Sequence, residues 1–459
     1  MDIFKIDLQE SQKNNVLFRF NTSQISLINN EFQRRKLIYD NIKTYYIGKN
    51  KKISDKTIVL KDVLNHKIPM PYGRLLATTT IGYMLKKDPE ILIKDNDKQQ
   101  ESIQNQLLRA GGYNALKEAL ANTIIYGVGY SLVFQTQEDN KIMAKIQSLH
   151  PSECIAVYDY DIIPNLIAVV RKYTLNNSLN QITEYYYKDA IVIYENNNLK
   201  AEIKHSAGCV PVSVCFANNE MIGVIEPVIP LIDALDEVAN SDLDEIQKFS
   251  LAIMIAYGIS IDDDTMEQVK AGAMLEVSSI DPNSRIEYLT RDINDTYRGD
   301  IKAFLVDKIH KLSQVPDFAD PNFSALSGVA LKYKLLGFDN LCGELETKMI
   351  ESIKQTLYLI DKINNLGTST IDKYNLWITM TGNLPNDETY KLQNATLMKN
   401  MGLSKETYLG YISDYIDDVA KEIDRQEKET ESMSLFPNGN YDMNNNDDTD
   451  EQQQEKGNN

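Results

Sequence analysis

Residues 313–341 read SQVPDFADPNFSALSGVALKYKLLGFDNL, and this stretch decides the fold. Pro316 and Pro321 fix their own φ and bias Val315 and Asp320 before them away from the helical region, so the chain between them is extended or turned. Beyond Ser327-Gly328, the apolar residues Leu331, Leu335, Phe338, Leu345, Met349, Ile353, Leu357 and Ile360 mark one face of a helix reaching about Asn364. Upstream, Ile293, Tyr297, Ile301, Leu305, Ile309 and Leu312 form a second stripe that stops at Pro316. Two stiff helices are therefore joined by a short acidic loop carrying Asp317 and Asp320. Alone this is a surface loop; beside the rest of the chain it reads as a projecting, movable element. Gly337 and Gly343 inside the downstream helix each cost about 1 kcal/mol relative to Ala. They point to close helix packing or to a kink beside the loop.

Residues 225–258 predict another long helix, about 32 residues and roughly 48 Å. Its stripe is Val228, Ile232, Leu235, Ala239, Leu243, Ile246, Phe249 and Ile253. The other faces carry Asp233, Asp236, Glu237, Asp242, Asp244 and Glu245 against only Lys248. Acids without bases four residues away gain no pairing within the helix, so this face meets solvent or lines something acidic. Between the two helices, 259–293 reads as a small module: a strand, the acidic turn Asp262-Asp263-Asp264, a short helix and two more strands. The pattern is a stalk with a head.

The first 224 residues combine a helical base with a β-rich region. Helices are expected over Ser23–Tyr46, from Pro71 to Leu85 and from Asn114 to Gly127, with a basic patch at Lys49, Lys51 and Lys52. Seven short strands follow between Tyr130 and Phe216, separated by turn signals such as Glu138-Asp139-Asn140 and Asn196-Asn197-Asn198. A strand over Tyr374–Thr381 and helices to about Glu429 close the ordered part, and the Asn-, Asp- and Gln-rich segment 431–459 is expected to be disordered. The fold class is α+β, mainly α.

A chain of 459 residues buries a substantial core in two to four subdomains. Its net charge of -18 and pI near 4.8 argue against a protein that neutralises phosphates. A DNA-handling protein this acidic must let the polymer slide past. Cys154, Cys209, Cys215 and Cys342 lack metal spacing, and a reducing compartment fits. The start MDIFKIDLQE is not that of a secretory leader, and no apolar run suits a membrane span. There is no GxxxxGK[ST] and no HExxH, and His66, His150, His205 and His310 are scattered singly. Gly127-Val128-Gly129 follows a helix and reads as a turn. Asp159-Tyr160-Asp161 and Asp262-Asp263-Asp264 are more simply solvated turns than cation sites. Neither an enzyme nor a cofactor or metal is expected.

Several segments in order resemble one family. They are Tyr45-Tyr46-Ile47-Gly48, Pro71-Tyr72-Gly73-Arg74 through Gly82-Tyr83-Met84-Leu85, Tyr126-Gly127-Val128-Gly129-Tyr130 and Pro151-Ser152-Glu153-Cys154. Ile225-Glu226-Pro227-Val228-Ile229, Leu231-Ile232-Asp233-Ala234-Leu235, Val315-Pro316-Asp317 and Ser327-Gly328-Val329-Ala330-Leu331-Lys332-Tyr333-Lys334 continue the series. Together they resemble bacteriophage portal proteins of the siphophage SPP1 type over about residues 40–425, with a short clip-like module and a short C-terminus as departures.

The resemblance implies a ring of subunits, normally twelve, at one capsid vertex of the virion, assembled in the host cytoplasm. Its template divides the chain into a wing (1–224), stem helices (225–258 and 294–314) and a clip (259–293). A tunnel loop (315–327), a long kinked helix (328–366) and a strand with crown helices (367–430) complete it. Asp233, Asp236, Glu237, Asp244, Arg298, Lys302 and Lys308 would line the channel. Val315, Pro316, Asp317, Asp320, Asn322, Phe323 and Ser324 would meet double-stranded DNA at the loop. Asp262, Asp263, Asp264, Glu267 and Arg285 would contact the large terminase subunit and later a head-completion connector, with major capsid and scaffolding proteins as further partners. About twelve copies would carry on the order of -200 charges, a field that disfavours immobilised phosphates. From the residues alone, a coiled-coil scaffold or a carboxylate nuclease using Asp159 and Asp161 are the rival classes.

Overall fold

A computed structural model of the chain describes residues 2–8, 12, 17–57, 65–94, 96–138, 141–175, 179–250, 253–257, 285–289, 295–320, 328–382, 388–416 and 418–434. They form a mixed α+β fold in two compact units, 1–383 and 384–459. No helix among the described residues is long and apolar enough to cross a membrane.

Helix α1 (Thr22–Tyr46) begins at a capping box, in which Asn21 Oδ1 accepts from the Gln24 N–H and Gln24 Oε1 accepts from the Asn21 N–H. The one-turn α2 (Lys51–Ser54), α3 (Tyr72–Leu85), β1 (Glu90–Ile93), α4 (Asp97–Arg109) and α5 (Gly112–Tyr126) follow. Helix α5 stops on Gly127 at φ +81, and its N–H bonds the Thr123 carbonyl. The chain turns straight into β2 (Val128–Glu138), which lies so close on α5 that a Cβ at Gly129 would sit 2.1 Å from the Ala119 carbonyl oxygen. This explains the glycine pair more fully than a simple turn does.

Strands β3 (Lys141–Leu149), β4 (Cys154–Tyr158), β5 (Leu166–Thr174), β6 (Gln181–Tyr186), β7 (Ala190–Glu195), β8 (Asn198–Lys204) and β9 (Val212–Phe216) complete two antiparallel sheets. One has the order β3-β2-β9; the other is the meander β4-β5-β6-β7-β8. Residues 4–6 extend the meander at β4, the Ile6 N–H bonding the Tyr158 carbonyl at 2.8 Å. Ile6, Phe18, Phe20, Ile28 and Phe32 cover the inner face made by Ile155, Val157, Val170, Tyr185 and Val192. Burial of each such side chain contributes about 1.5–3 kcal/mol. Strand β8 is absent from the sequence reading, which stopped at Asn196-Asn197-Asn198. Asn196 and Asn197 take φ of +49 and +69, the backbone of a two-residue hairpin turn, so the signal marks a strand pair rather than an end.

The long helix expected over 225–258 is shorter. A 3-10 turn at Glu226–Val228 precedes α6 (Ile229–Ser250), 22 residues, and Ile253–Tyr257 is strand β10. The sequence from 251 lacks the polar residues that give a helix two faces, and β-branched Ile253 and Ile255 suit a sheet. Strand β10 pairs antiparallel with β11 (Arg285–Leu289), and α7 (Asp295–Ser313) then packs along α6. Helix α8 (Gly328–Asn364) runs unbroken for 37 residues. It buries Leu335, Phe338, Leu345, Met349, Ile353, Leu357 and Ile360 against β9, β3 and α4. A Cβ at Gly337 or Gly343 would meet nothing within 4 Å, so neither glycine serves close helix packing.

Strand β12 (Leu376–Thr379) pairs antiparallel with β1, Trp377 opposite Leu92. This strand therefore belongs to the first unit rather than with the helices after it. The second unit comprises α9 (Glu388–Asn400), α10 (Lys405–Tyr411), capped by Ser404, and α11 (Val419–Ser434). Helix α11 runs past 431; the expectation for 435–459 lies outside the described residues.

Candidate functional site

The paired helices α6 and α7 and the loop after them hold most of the residues singled out in the sequence. Helix α6 turns its acids into the protein. Asp236 is fully buried, its Oδ2 accepting from Asn50 Nδ2 and its Oδ1 from the Met70 N–H, both at 2.8 Å. Four residues on, Asn240 Oδ1 accepts from the Ile68 N–H at 2.8 Å and Nδ2 donates to the Ile68 carbonyl at 2.9 Å. Four further, Asp244 Oδ1 accepts from the His66 N–H at 2.8 Å and lies 2.7 Å from His66 Nδ1. The register works because four helical residues rise about 6.0 Å and two extended residues about 6.6 Å. The intervening Pro69 has no N–H to satisfy.

Asp233, beside this ladder, accepts from Tyr45 Oη at 2.7 Å and Asn50 Nδ2 at 2.9 Å. Burial pushes the Asp236 carboxyl up, against the Asn50 and Met70 hydrogen bonds that pull it down. Burial, then Asp233, likewise raises the Tyr45 phenol. Of the acids expected at a channel wall, Asp236 and Asp244 thus anchor the 65–70 segment of their own chain, and Asp233 holds Tyr45 and Asn50. Glu237 alone of that set is exposed.

The bases of α7 find carboxylates in the same chain. Arg298 bonds Asp242 at 3.2 Å and also pairs with Glu245, and Lys302 pairs with Asp242 at 2.8 Å. Lys308 and Lys311 pair with Asp307 at 3.6 and 2.9 Å. The Asp307 carboxyl is held down, first by its hydrogen bond from Lys311. Asp242 and Glu245, without bases inside α6, are thus matched from α7, whose Lys308 and Lys311 pair within their own helix.

Helix α7 closes on Gln314 at φ +59. His310 Nδ1 donates to the Val315 carbonyl at 2.9 Å, and Val315 is buried. In the loop, Asp317 Oδ1 accepts from the Ala319 N–H at 2.9 Å, and Asp320 is held by Lys334 of α8 at 2.8 Å. Both acids are half-buried. Pro316, Asp317 and Asp320 line a groove of about 910 Å³ together with Lys302, Val306, His310, Lys334, Gly337 and Phe338. Burial, then Asp317 and Asp236, raises the Tyr72 phenol, whose ring lies edge-on to His310 with centroids 6.4 Å apart.

Asn322, Phe323 and Ser324, and Asp262, Asp263, Asp264 and Glu267, lie outside the described residues; Arg285 sits opposite Tyr257 in the β10–β11 pair. Asp159 is a loop organiser, accepting from the N–H groups of Asp161 and Asn165 and from Asn165 Nδ2. Among the described residues no group of three or more His, Cys, Asp or Glu is placed to hold a metal ion. The ladder from α6 to residues 66–70 was missed in the sequence. Its signal was Asp-Asn-Asp at four-residue steps, matched to a proline-punctuated segment.

No curated protein sequence matches the chain. A solved chain from the "Neck of empty GTA particle computed with C6 symmetry" is similar at 12% identity and TM-score 0.44, covering 74% of this chain and 88% of that one. Another, from the "Virion of native gene transfer agent (GTA) particle", is similar at 13% identity and TM-score 0.40, with the same coverage. The sequence matches the profile described as "Phage portal protein, SPP1 Gp6-like" over residues 25–434. With that match spanning both units, the chain belongs to the SPP1 Gp6-like family of phage portal proteins.

Proposed function

We propose that copies of this chain close into a ring, twelve by family habit, at one capsid vertex of a tailed double-stranded-DNA phage. DNA enters through the ring during packaging and leaves through it at ejection. The family match carries this reading, and the helix pair with a strand-built tip supports it. On this reading 1–224 form the wing, α6 and α7 the stem, 259–293 the clip and 315–327 the tunnel loop. The segments after the loop connect wing and crown. The clip receives the large terminase and later the head-completion connector, while the outer surface meets capsid and scaffolding proteins. The role is structural rather than enzymatic.

The physical task is to conduct a polyanion without holding it. Each cation of α7 has a carboxylate of its own chain within 4 Å, so a passing phosphate must compete for it. Low affinity then comes from neutralised bases, with the net charge of -18 per copy adding a repulsive background. Leu243, Ile246, Tyr297, Phe304, Tyr333 and Leu336 are exposed on the single chain, and a ring would bury such surface. Negative-stain imaging and native mass spectrometry of the purified chain test the proposal. Closed rings, and loss of packaged DNA from capsids lacking the protein, are expected; a monomer at high concentration with normally filled capsids would refute it.

A further inference from the structure

Helix α7 shows two different faces outside its contact with α6. One, with Lys302, Ala303, Val306, His310 and Gln314, forms a wall of the groove of about 910 Å³ whose far side is Lys334, Gly337 and Phe338 of α8. That volume lies within the range of about 300–1,000 Å³ that encloses a sizeable ligand or several side chains. The other carries Tyr297 and Phe304, 63 % and 56 % exposed, with Lys308 Nζ 5.1 Å from the Phe304 ring centroid. At 3.6 residues per turn these faces stand roughly 130° apart.

Gly337 is the second observation. A glycine in a helix interior is unfavourable, yet here no neighbour within 4 Å requires it. Its missing side chain deepens the groove where a bulky group would enter. Ala303 lines it from α7; the lining charges Lys302, Asp307, Lys311, Asp320 and Lys334 are ion-paired within the chain, which leaves the Asp317 carboxylate as the charge the groove presents among the described residues.

We propose, resting on the ring reading above, that the groove is the seat for Phe304 of the next copy. The aromatic ring enters over Gly337, and the stacked Lys308 ammonium meets Asp317. Three features select this occupant: an exposed aromatic on the same helix, opposite charge on knob and groove, and faces set at an angle. A knob and a socket on faces this far apart favour a head-to-tail contact, which propagates around a ring when the rotation closes. The tunnel-loop base of each subunit is then clamped by its neighbour.

The test is disulfide trapping in the full chain. Cys154, Cys215 and Cys342 are buried, so a Cys209→Ser background suffices, carrying Phe304→Cys and Gly337→Cys together or singly. Mild oxidation should give a ladder of covalent multimers on non-reducing gels for the double variant only. Rings that form normally without the ladder would overturn the seat while leaving the ring intact. A covalent dimer from Phe304→Cys alone would overturn it too, by showing a reciprocal contact. Failure of the unsubstituted chain to form rings would instead sink the ring reading. Gly337→Trp fills the groove at a site with open space, and should weaken assembly at least about 30-fold with an unchanged far-ultraviolet spectrum. Assembly at wild-type concentrations by that variant refutes the proposal.

Discussion

Replacing Asp236 with Ala tests the ladder that fixes the stem helix to residues 66–70. The side chain is fully buried and accepts two hydrogen bonds, from Asn50 Nδ2 and the Met70 N–H. Without it the part-buried Met70 N–H loses its acceptor and Asn50 Nδ2 keeps only Asp233, each lost bond costing about 1–3 kcal/mol. Relief from burying a carboxylate offsets part of this, leaving about 2–4 kcal/mol. For the unit 1–383 that corresponds to a fall in Tm of roughly 2–5 °C, read by circular dichroism, with faster proteolysis between Lys51 and Pro71. Asp236→Asn separates charge from hydrogen bonding. Burial raises the Asp236 carboxyl in the folded protein, so between the unfolded and folded pKa values the folded state binds more protons. Wild type should therefore gain stability relative to Asp236→Asn as pH falls through that window, and lose the gain as pH rises through the folded pKa. An Asp236→Ala Tm within 1 °C of wild type, or an advantage over Asp236→Asn that grows with rising pH, would refute the reasoning.

Arg35 is buried and bonds Glu31 and the Asp2 carbonyl, each at 2.7 Å. Arg35→Ala should cost about 2–4 kcal/mol in denaturant unfolding, reduced because Arg34 still pairs with Glu31. Burial raises the Glu31 carboxyl, but hydrogen bonds from Arg34 and Arg35 outweigh it and leave it below its usual value. Glu31 should therefore stabilise the fold above its unfolded pKa, and that gain should fade as pH drops through its folded one; a Glu31→Gln variant whose deficit persists unchanged in acid would contradict this. Gly129→Ala should leave little soluble protein because its Cβ strikes the Ala119 carbonyl, whereas Gly343→Ala, in open space, should gain about 0.5–1 kcal/mol; equal thermal stability of the two would be inconsistent with the close approach of β2 to α5. Neutralising Asp242 and Glu245 together (Asp242→Asn, Glu245→Gln) releases Arg298 and Lys302. Retention of DNA at low salt should increase and packaging slow, and unchanged rates would remove these pairs from the account of DNA passage.

Periodicity made α1, α3, α5, α7 and α8 legible, because each buries one stripe against a neighbour. It failed at the end of α6, where an apolar stretch has no polar face to tell helix from strand. Strand β1 was invisible because its four residues form a sheet only with β12, far along the chain. The site was legible in its elements and misleading in its charges. Asp233, Asp236 and Asp244 looked like a solvent-facing acid row because their donors lie some 166 to 188 positions earlier. Ionic pattern within one helix says nothing about partners folded onto it. Gly337 drew notice for its cost, but only the cavity beside it gave the cost a reason.

Pairing of β1 with β12 ties residue 90 to residue 379, and this governs the order of events during synthesis. The amino-terminal half cannot complete its architecture until almost the whole polypeptide has left the ribosome, so late non-local closure should set the folding rate. Helices α6 and α7 lie between those two strands in the chain, and α6 is itself tied to the same body through Asp236, Asn240 and Asp244.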